Sequence, residues 1–190
     1  MKKVNLEIGF WHPFGDHGGE SAESILKRKS GEIQRNKWTL WSFQYRTKET
    51  RDVWCKEIRE KKPRKVLVFC SDGNGTKDAK SKKEDCSYYI PAGENTLMNI
   101  PSKIKVPHPM GKNLKGSAFI VSKIYFPVDF TKISVDWFYS GKKKWQIDRS
   151  STRGEHLIRI GHGKPMGKYR AVLELKYPYL AEVGIRRGEK

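Results

Sequence analysis

Two segments in the first quarter of the chain mix aromatic side chains with polar ones, a pattern suited to binding a flat, hydrogen-bonding ligand. They are Gly9–Ser21 and Trp38–Arg46. A nucleobase is such a ligand, because an aromatic ring stacks on its face while hydroxyl, carboxylate and imidazole groups bind its edge. We predict that Trp11 and Trp41 are the stacking rings.

Further side chains complete this predicted site. The groups expected to hydrogen-bond the base edge are His12, Ser42, Ser71 and Asp72. The cations expected to hold phosphates are Arg46, Lys142, Lys143 and Lys144. Trp145 follows the three lysines and is a third candidate for stacking. The competing interpretation is that these tryptophans belong to the core, as Trp54 does on the apolar face of a predicted helix.

Histidine and carboxylate groups of the same region also suit catalysis, which gives the alternative function. A metal-assisted hydrolase of nucleic acid or nucleotides would use His12, Asp16, His17 and Asp72. Their spacing matches neither an HExxH helix nor a zinc finger. We therefore favour a binding protein without a cofactor over an enzyme. A third alternative is a basic protein-interaction module of a ribonucleoprotein.

Two other patterns do not support a function. The segment Gly161–Lys168 resembles a phosphate-binding loop, but His162 replaces its first glycine and Tyr169 replaces its Ser or Thr. We predict a basic turn there. The three cysteines, Cys55, Cys70 and Cys86, lack C-x-x-C spacing and are predicted to be reduced thiols of an intracellular protein.

Composition favours an anionic partner. The 190 residues carry a formal net charge of +18, which a polyphosphate would neutralise. Aromatic residues make up 12%, which is too many for a disordered chain. No apolar run approaches the roughly 18 residues of a membrane span, and Met1–Lys3 does not begin a signal peptide. We predict one cytoplasmic domain without a membrane segment.

The order of elements predicts an α+β fold, a small curled mixed β-sheet or β-barrel with two or more helices packed at one side. One helix is capped by Ser21, and a second is capped by Thr47 or Thr50 and stopped by Pro63. Residues 73–116 are predicted to be a long basic loop excursion. The predicted strands are 4–11, 38–45, 65–70, 117–126, 133–139, 145–148, 155–160 and 169–177.

Three of these segments resemble the PUA-like superfamily, in particular its EVE and ASCH branch. They are the opening strand with GFWHPF at 9–14, the strand RKVLVFCS at 64–71 and the strand GSAFIVSKI at 116–124. The resemblance implies a pocket between helices and barrel that holds a nucleobase, sometimes a modified base flipped from its strand. The G-x-K-x-x-E-x-R signature of the ASCH branch is absent, so no residue role carries over.

Overall fold

A computed structural model describes residues 8–73, 84–107, 114–128, 133–139, 144–146, 154–161, 164–166 and 169–186. The helices are α1 (Ala22–Asn36) and α2 (Lys48–Lys61). The strands are β1 (Ile8–Phe14), β2 (Thr39–Phe43), β3 (Leu67–Asp72), β4 (Tyr88–Pro91), β5 (Met98–Asn99), β6 (Lys115–Tyr125), β7 (Ile133–Tyr139), β8 (Lys144–Gln146), β9 (His156–Ile160), β10 (Lys164–Met166) and β11 (Tyr169–Gly184).

The described strands form one mixed sheet, which confirms the predicted α+β class. Its main path runs β10-β7-β9-β1-β3-β11-β4-β5. Off this path, β6 pairs with β11, β2 pairs with β6, and β8 pairs with β7. Within the described residues this sheet is open, so the predicted alternative of a closed barrel is not what they form. The segment predicted to be a basic turn contains the short strand β10.

Parallel pairing of β1 and β3 creates the edge that matters for function. The two strands end side by side, with Phe14 opposite Asp72. On the other side of β1, antiparallel β9 begins at His156 opposite Trp11, and β11 begins beside the end of β3. We call this the carboxyl edge, formed by residues 12–14, 71–72, 154–156 and 169–170.

Local hydrogen bonds explain where both helices begin. The Ser21 hydroxyl accepts from the Ser24 N–H at 3.2 Å, and the Thr47 hydroxyl accepts from the Thr50 N–H at 3.3 Å. The predicted N-cap Ser21 is confirmed, and of the two predicted alternatives for the second helix Thr47 is the cap. The carboxylate of Asp16 accepts from the Ala22 N–H at 3.0 Å, so it also caps α1.

The sheet buries a different hydrophobic cluster on each face. Both helices pack on one face, where the core includes Phe10, Phe14 and Trp54. The opposite face carries a cluster that includes Trp11 and Trp137. Successive residues of a strand point to opposite faces, which is why Phe10 and Trp11 separate. The predicted core position of Trp54 is confirmed.

Residues 84–107 differ from the predicted loop excursion, because they contain β4 and β5 and contribute to a third cluster. Its members from this segment are Cys86, Tyr89, Ile100, Ile104 and Val106. They pack against side chains of β2, β6 and β11 such as Leu40, Ala118 and Val183. The remainder of the predicted excursion, at 74–83 and 108–113, lies outside the described residues.

A buried ionic network fastens this segment to α1. The Lys29 ammonium donates to Glu32 Oε2 at 2.9 Å and to the carbonyl of Lys105 at 2.6 Å. Glu32 also accepts from the Lys105 N–H at 3.2 Å and from the Thr39 hydroxyl. Burial lowers the pKa of Lys29 to about 8 against the opposing effect of Glu32.

Candidate nucleic-acid interface

A chain of hydrogen bonds links His12 and Glu155 of the carboxyl edge to Trp41 on β2 and to Arg46 after it. The indole Nε1–H of Trp41 lies 3.0 Å from His12 Nε2. The other ring nitrogen, His12 Nδ1, lies 3.1 Å from Glu155 Oε1. The second carboxylate oxygen of Glu155 lies 3.4 Å from Arg46 Nη2. We call Trp41, His12, Glu155 and Arg46 the relay.

The partners of His12 assign a hydrogen-bond role to each of its ring nitrogens. An indole N–H can only donate, so His12 Nε2 must be an unprotonated acceptor. The proton of a neutral imidazole then lies on Nδ1, where it donates to Glu155. Both ring nitrogens of His12 are therefore occupied within the relay.

Glu155 is the charged centre of the relay although its side chain is only 5% exposed. Burial alone would raise the pKa of this carboxyl group, but the hydrogen bond from His12 and the charge of Arg46 outweigh it and the pKa is lowered. A buried carboxylate of this kind needs a cation beside it. The relay therefore fixes the position of Arg46.

Arg46 is the outer end of the relay. The hydrogen bonds from its guanidinium to described residues all use Nη2, so among those residues Nε and Nη1 have no acceptor. The guanidinium lies directly against Gly154, where an added Cβ would be only 2.7 Å from Nη2. Gly154 also has a φ of +78°, which favours glycine. The remaining donors of Arg46 can bind an anion at the edge.

A second arginine at this edge forms an exposed ion pair with a carboxylate. Arg170 Nε donates to Asp72 Oδ1 at 2.7 Å, and both side chains are more than a third exposed. The strand alternation places Asp72 on the same face as His12 and Phe14. Arg46, bound to Glu155 just before β9, and Arg170, on β11, thus lie at one edge with β1 and β3 between them.

Trp11 and Trp41 do not share a pocket. Trp11 lies on the opposite face, with ring centroids 5.6 Å from Trp137 and 5.4 Å from Tyr169. Trp41 packs against Phe14 at 4.9 Å on the helix-covered face. Each tryptophan is 3% exposed. Both are therefore core side chains, and the base pocket predicted between them is not formed.

The other predicted base-binding groups are divided between faces. Ser71 is buried on the face of Trp11, since it follows Phe69 by two residues on β3. Ser42 is half-buried on β2, on the opposite side from Trp41. Of the predicted site, the structure brings His12, Trp41 and Arg46 together and places Asp72 at the same edge.

The predicted lysine cluster is described only in part. Lys142 and Lys143 lie outside the described residues, and Lys144 is exposed on β8. Trp145 is half-buried, with its ring centroid 5.1 Å from Phe138 and the Arg159 guanidinium 5.4 Å above the ring. Arg159 is held there by Asp136, so it covers a face that a base would need.

The alternative metal site is not assembled. Among the described residues there is no group of three or more His, Cys, Asp or Glu side chains placed to hold a metal ion. His12 is bound within the relay, Asp16 caps α1, and His17 is exposed in a turn.

The cysteines are buried free thiols. Burial raises the pKa of Cys55 to about 11 and of Cys86 to about 12, which disfavours nucleophilic thiolates.

Glu155, Gly154 and Arg170 are the functional candidates that sequence reasoning misses. Gly154 and Glu155 precede a short apolar strand, a position that allows a glycine corner and a buried anion but does not identify the partner. Arg170 alternates with apolar residues in β11 and is typical of a solvent-facing strand position.

The fold and site define a basic α+β protein with two arginines paired with carboxylates at the edge of an open mixed sheet. No family model, curated protein or solved structure matches the chain. None of its described helices combines the length and apolarity required to cross a membrane.

Proposed function

We propose that this chain is a nucleic-acid-binding domain whose carboxyl edge contacts the phosphate backbone through Arg46 and Arg170. The observation that carries the proposal is that each guanidinium is oriented by a carboxylate, Glu155 or Asp72, and keeps donors directed away from that partner. Arginine binds phosphate oxygens through such paired donors, and a pre-positioned guanidinium loses less entropy on binding.

The charge balance supports a polyanionic partner. Acidic side chains that are buried in the described residues each pair with a cation inside the protein: Glu32 with Lys29, Asp136 with Arg159, Glu155 with Arg46, and Glu182 with Arg51. Each of these pairs is electrically neutral, so the four pairs leave the net charge of the protein unchanged. The excess of +18 remains for an external partner.

The resemblance to PUA-like domains supports the same class of partner. In that family a base enters a pocket beside the sheet, and here two helices cover one face of a mixed sheet. Trp11 and Trp41 are buried, so a stacking surface for a base must lie elsewhere. The proposal is accordingly that phosphate contacts at the carboxyl edge supply most of the affinity.

Affinity for nucleic acid is expected to fall steeply with salt, because each phosphate contact releases counterions. For a single strand held through about four phosphates, the slope of log K against log salt should be about −3. Raising salt from about 50 to about 200 mM should then weaken binding about 50-fold. Fluorescence anisotropy of a labelled oligonucleotide of about 12 nucleotides measures this.

The natural control is a neutral peptide nucleic acid of the same base sequence, which carries no phosphates. It should bind far more weakly at low salt and show almost no salt dependence. Failure of the phosphate-bearing strand to bind at low salt, or a flat salt response, would rule the proposal out.

A further inference from the structure

Strand β11 contains a large bulge that exposes an aromatic ring. Leu175 pairs with Val121 and Leu180 pairs with Phe119, so residues 176–179 stand opposite Ile120 alone. The bulge pushes Tyr177 outward until it is 66% exposed. Bulges often redirect side chains next to binding sites.

The backbone of the bulge is held in an unusual conformation. Tyr179 has a φ of 75°, in the left-handed region that costs free energy for a residue other than glycine. The N–H of Ala92 donates to the Leu180 carbonyl at 2.8 Å and so ties the turn after β4 to the end of the bulge. The surrounding structure therefore holds the backbone of Tyr179 in a costly conformation next to the exposed ring of Tyr177.

An open pocket of about 170 Å³ lies between this bulge, α2 and the turn after β4. The rings of Tyr177 and Tyr179 meet edge to face at 5.6 Å on one side of it. The charged groups of its lining are Asp52 and Arg59 from α2 and Glu94 from the turn. Cys55 closes the floor.

This combination of groups matches a nucleobase. A tyrosine ring stacks on any base, and carboxylates accept hydrogen bonds from the amino groups of base edges. Arg59 can bind the phosphate next to the base. Its positive charge also disfavours a cationic ligand, although Asp52 and Glu94 without Arg59 would suit one. We infer that the pocket binds one unpaired base of a single strand, stacked on Tyr177.

Helix α2 connects the pocket to the carboxyl edge. Arg51, in its first turn, donates to the backbone carbonyl of Arg46, and Lys48 donates to Asn95 beside the pocket turn at 3.3 Å. The helix is about 20 Å long, and a single strand of about six stacked nucleotides covers that distance. A single strand bound by Arg46 can thus reach the pocket. This inference rests on the proposed function, since it assigns a base site to the same ligand.

Two strands of equal charge test the inference. One is a labelled single-stranded DNA of about 12 nucleotides, and the other is a phosphodiester strand of that length with abasic sugars throughout. We expect the wild-type protein to bind the base-bearing strand about 5- to 150-fold more tightly, the range given by one aromatic stack. Tyr177→Ala should abolish this preference, leave abasic binding unchanged and remain folded because the ring is exposed. Tyr177→Phe should retain the preference.

Arg59→Ala is a second variant, and Lys27→Ala, at an exposed lysine of α1, is its charge-matched control. Affinity for the base-bearing strand should fall more in Arg59→Ala than in Lys27→Ala. Equal binding of the two strands by wild type, or a preference retained by Tyr177→Ala, would overturn the base pocket while leaving the phosphate contacts intact. If neither strand binds the wild type at low salt, the proposed function fails, and the base pocket fails with it.

Discussion

Replacing Trp41 with alanine is expected to lower the free energy of unfolding by about 3–5 kcal/mol, the usual cost of truncating a buried tryptophan. Trp41 is 3% exposed and packs on Phe14 in the main core. The substitution also leaves the buried Nε2 of His12 without its donor. Urea denaturation followed by circular dichroism measures the effect.

Trp41→Phe is the matched control, because it keeps an aromatic ring and removes the indole N–H. It should cost about 1–3 kcal/mol, the penalty of leaving a buried acceptor unsatisfied. Nucleic-acid affinity of whichever variants remain folded should stay within a few-fold of wild type. A stable Trp41→Ala protein with greatly weakened binding would show instead that Trp41 is a stacking residue.

Glu32→Ala is the second substitution with a large expected effect, about 3–5 kcal/mol of unfolding free energy, because it removes one partner of a buried ion pair. Lys29 would remain buried, and the Lys105 N–H would lose its acceptor. Residues 100–107 should then open first. Amide hydrogen exchange at Ile104 and Lys105 should accelerate more than in β3.

The contribution of Glu32 to the free energy of unfolding depends on pH with a definite sign. Burial opposes ionisation of Glu32, but the charge of Lys29 and the Thr39 hydrogen bond prevail and lower the pKa of Glu32. The stabilisation from ionised Glu32 is therefore fully present above about pH 4.3, the ordinary pKa of a glutamate in the unfolded chain. It is lost as the pH falls through the lower pKa of Glu32 in the folded protein.

Two variants control for this experiment. Glu23→Ala, in an exposed pair with Lys27, should barely move the denaturation midpoint. Lys29→Met combined with Glu32→Ala should recover part of the loss, because no uncompensated charge stays buried. Unchanged stability and exchange in Glu32→Ala would mean that the network does not hold the segment.

Local patterns predict local structure well in this chain. The caps at Ser21 and Thr47 follow from single side chains, and the alternation of side chains along β2 places Trp41 and Leu40 in different clusters. Long-range pairing is what the sequence does not reveal. Strand β11 continues past Pro178 to Gly184 because β6 and β4 pair with it there.

Residues 84–107 illustrate the same limit. Their apolar side chains have no regular period, because Cys86, Ile104 and Val106 are buried one by one against neighbouring elements. Sequence reasoning therefore predicts a loop where tertiary contacts build a cluster. Periodicity reports burial of a whole face and does not detect such isolated anchors.

Only part of the predicted site comes together in the structure. His12, Trp41 and Arg46 do meet, but through Glu155, which is 143 residues from His12 and gives no local signal. Pairing Trp11 with Trp41 in one pocket conflicts with strand geometry once His12 faces Trp41, because neighbours on a strand point to opposite faces.

The most direct test of the proposed interface compares two double variants that each remove two positive charges. One is Arg46→Ala with Arg170→Ala, and the other is Lys27→Ala with Lys103→Ala, two exposed lysines that do not belong to the carboxyl edge. Both are titrated with the same labelled single strand over a range of salt, after thermal melts show that they are folded. The arginine variant should shallow the salt slope by about one unit per arginine, and the lysine variant should leave the slope near that of wild type. Equal slopes in the two variants would contradict binding at this edge.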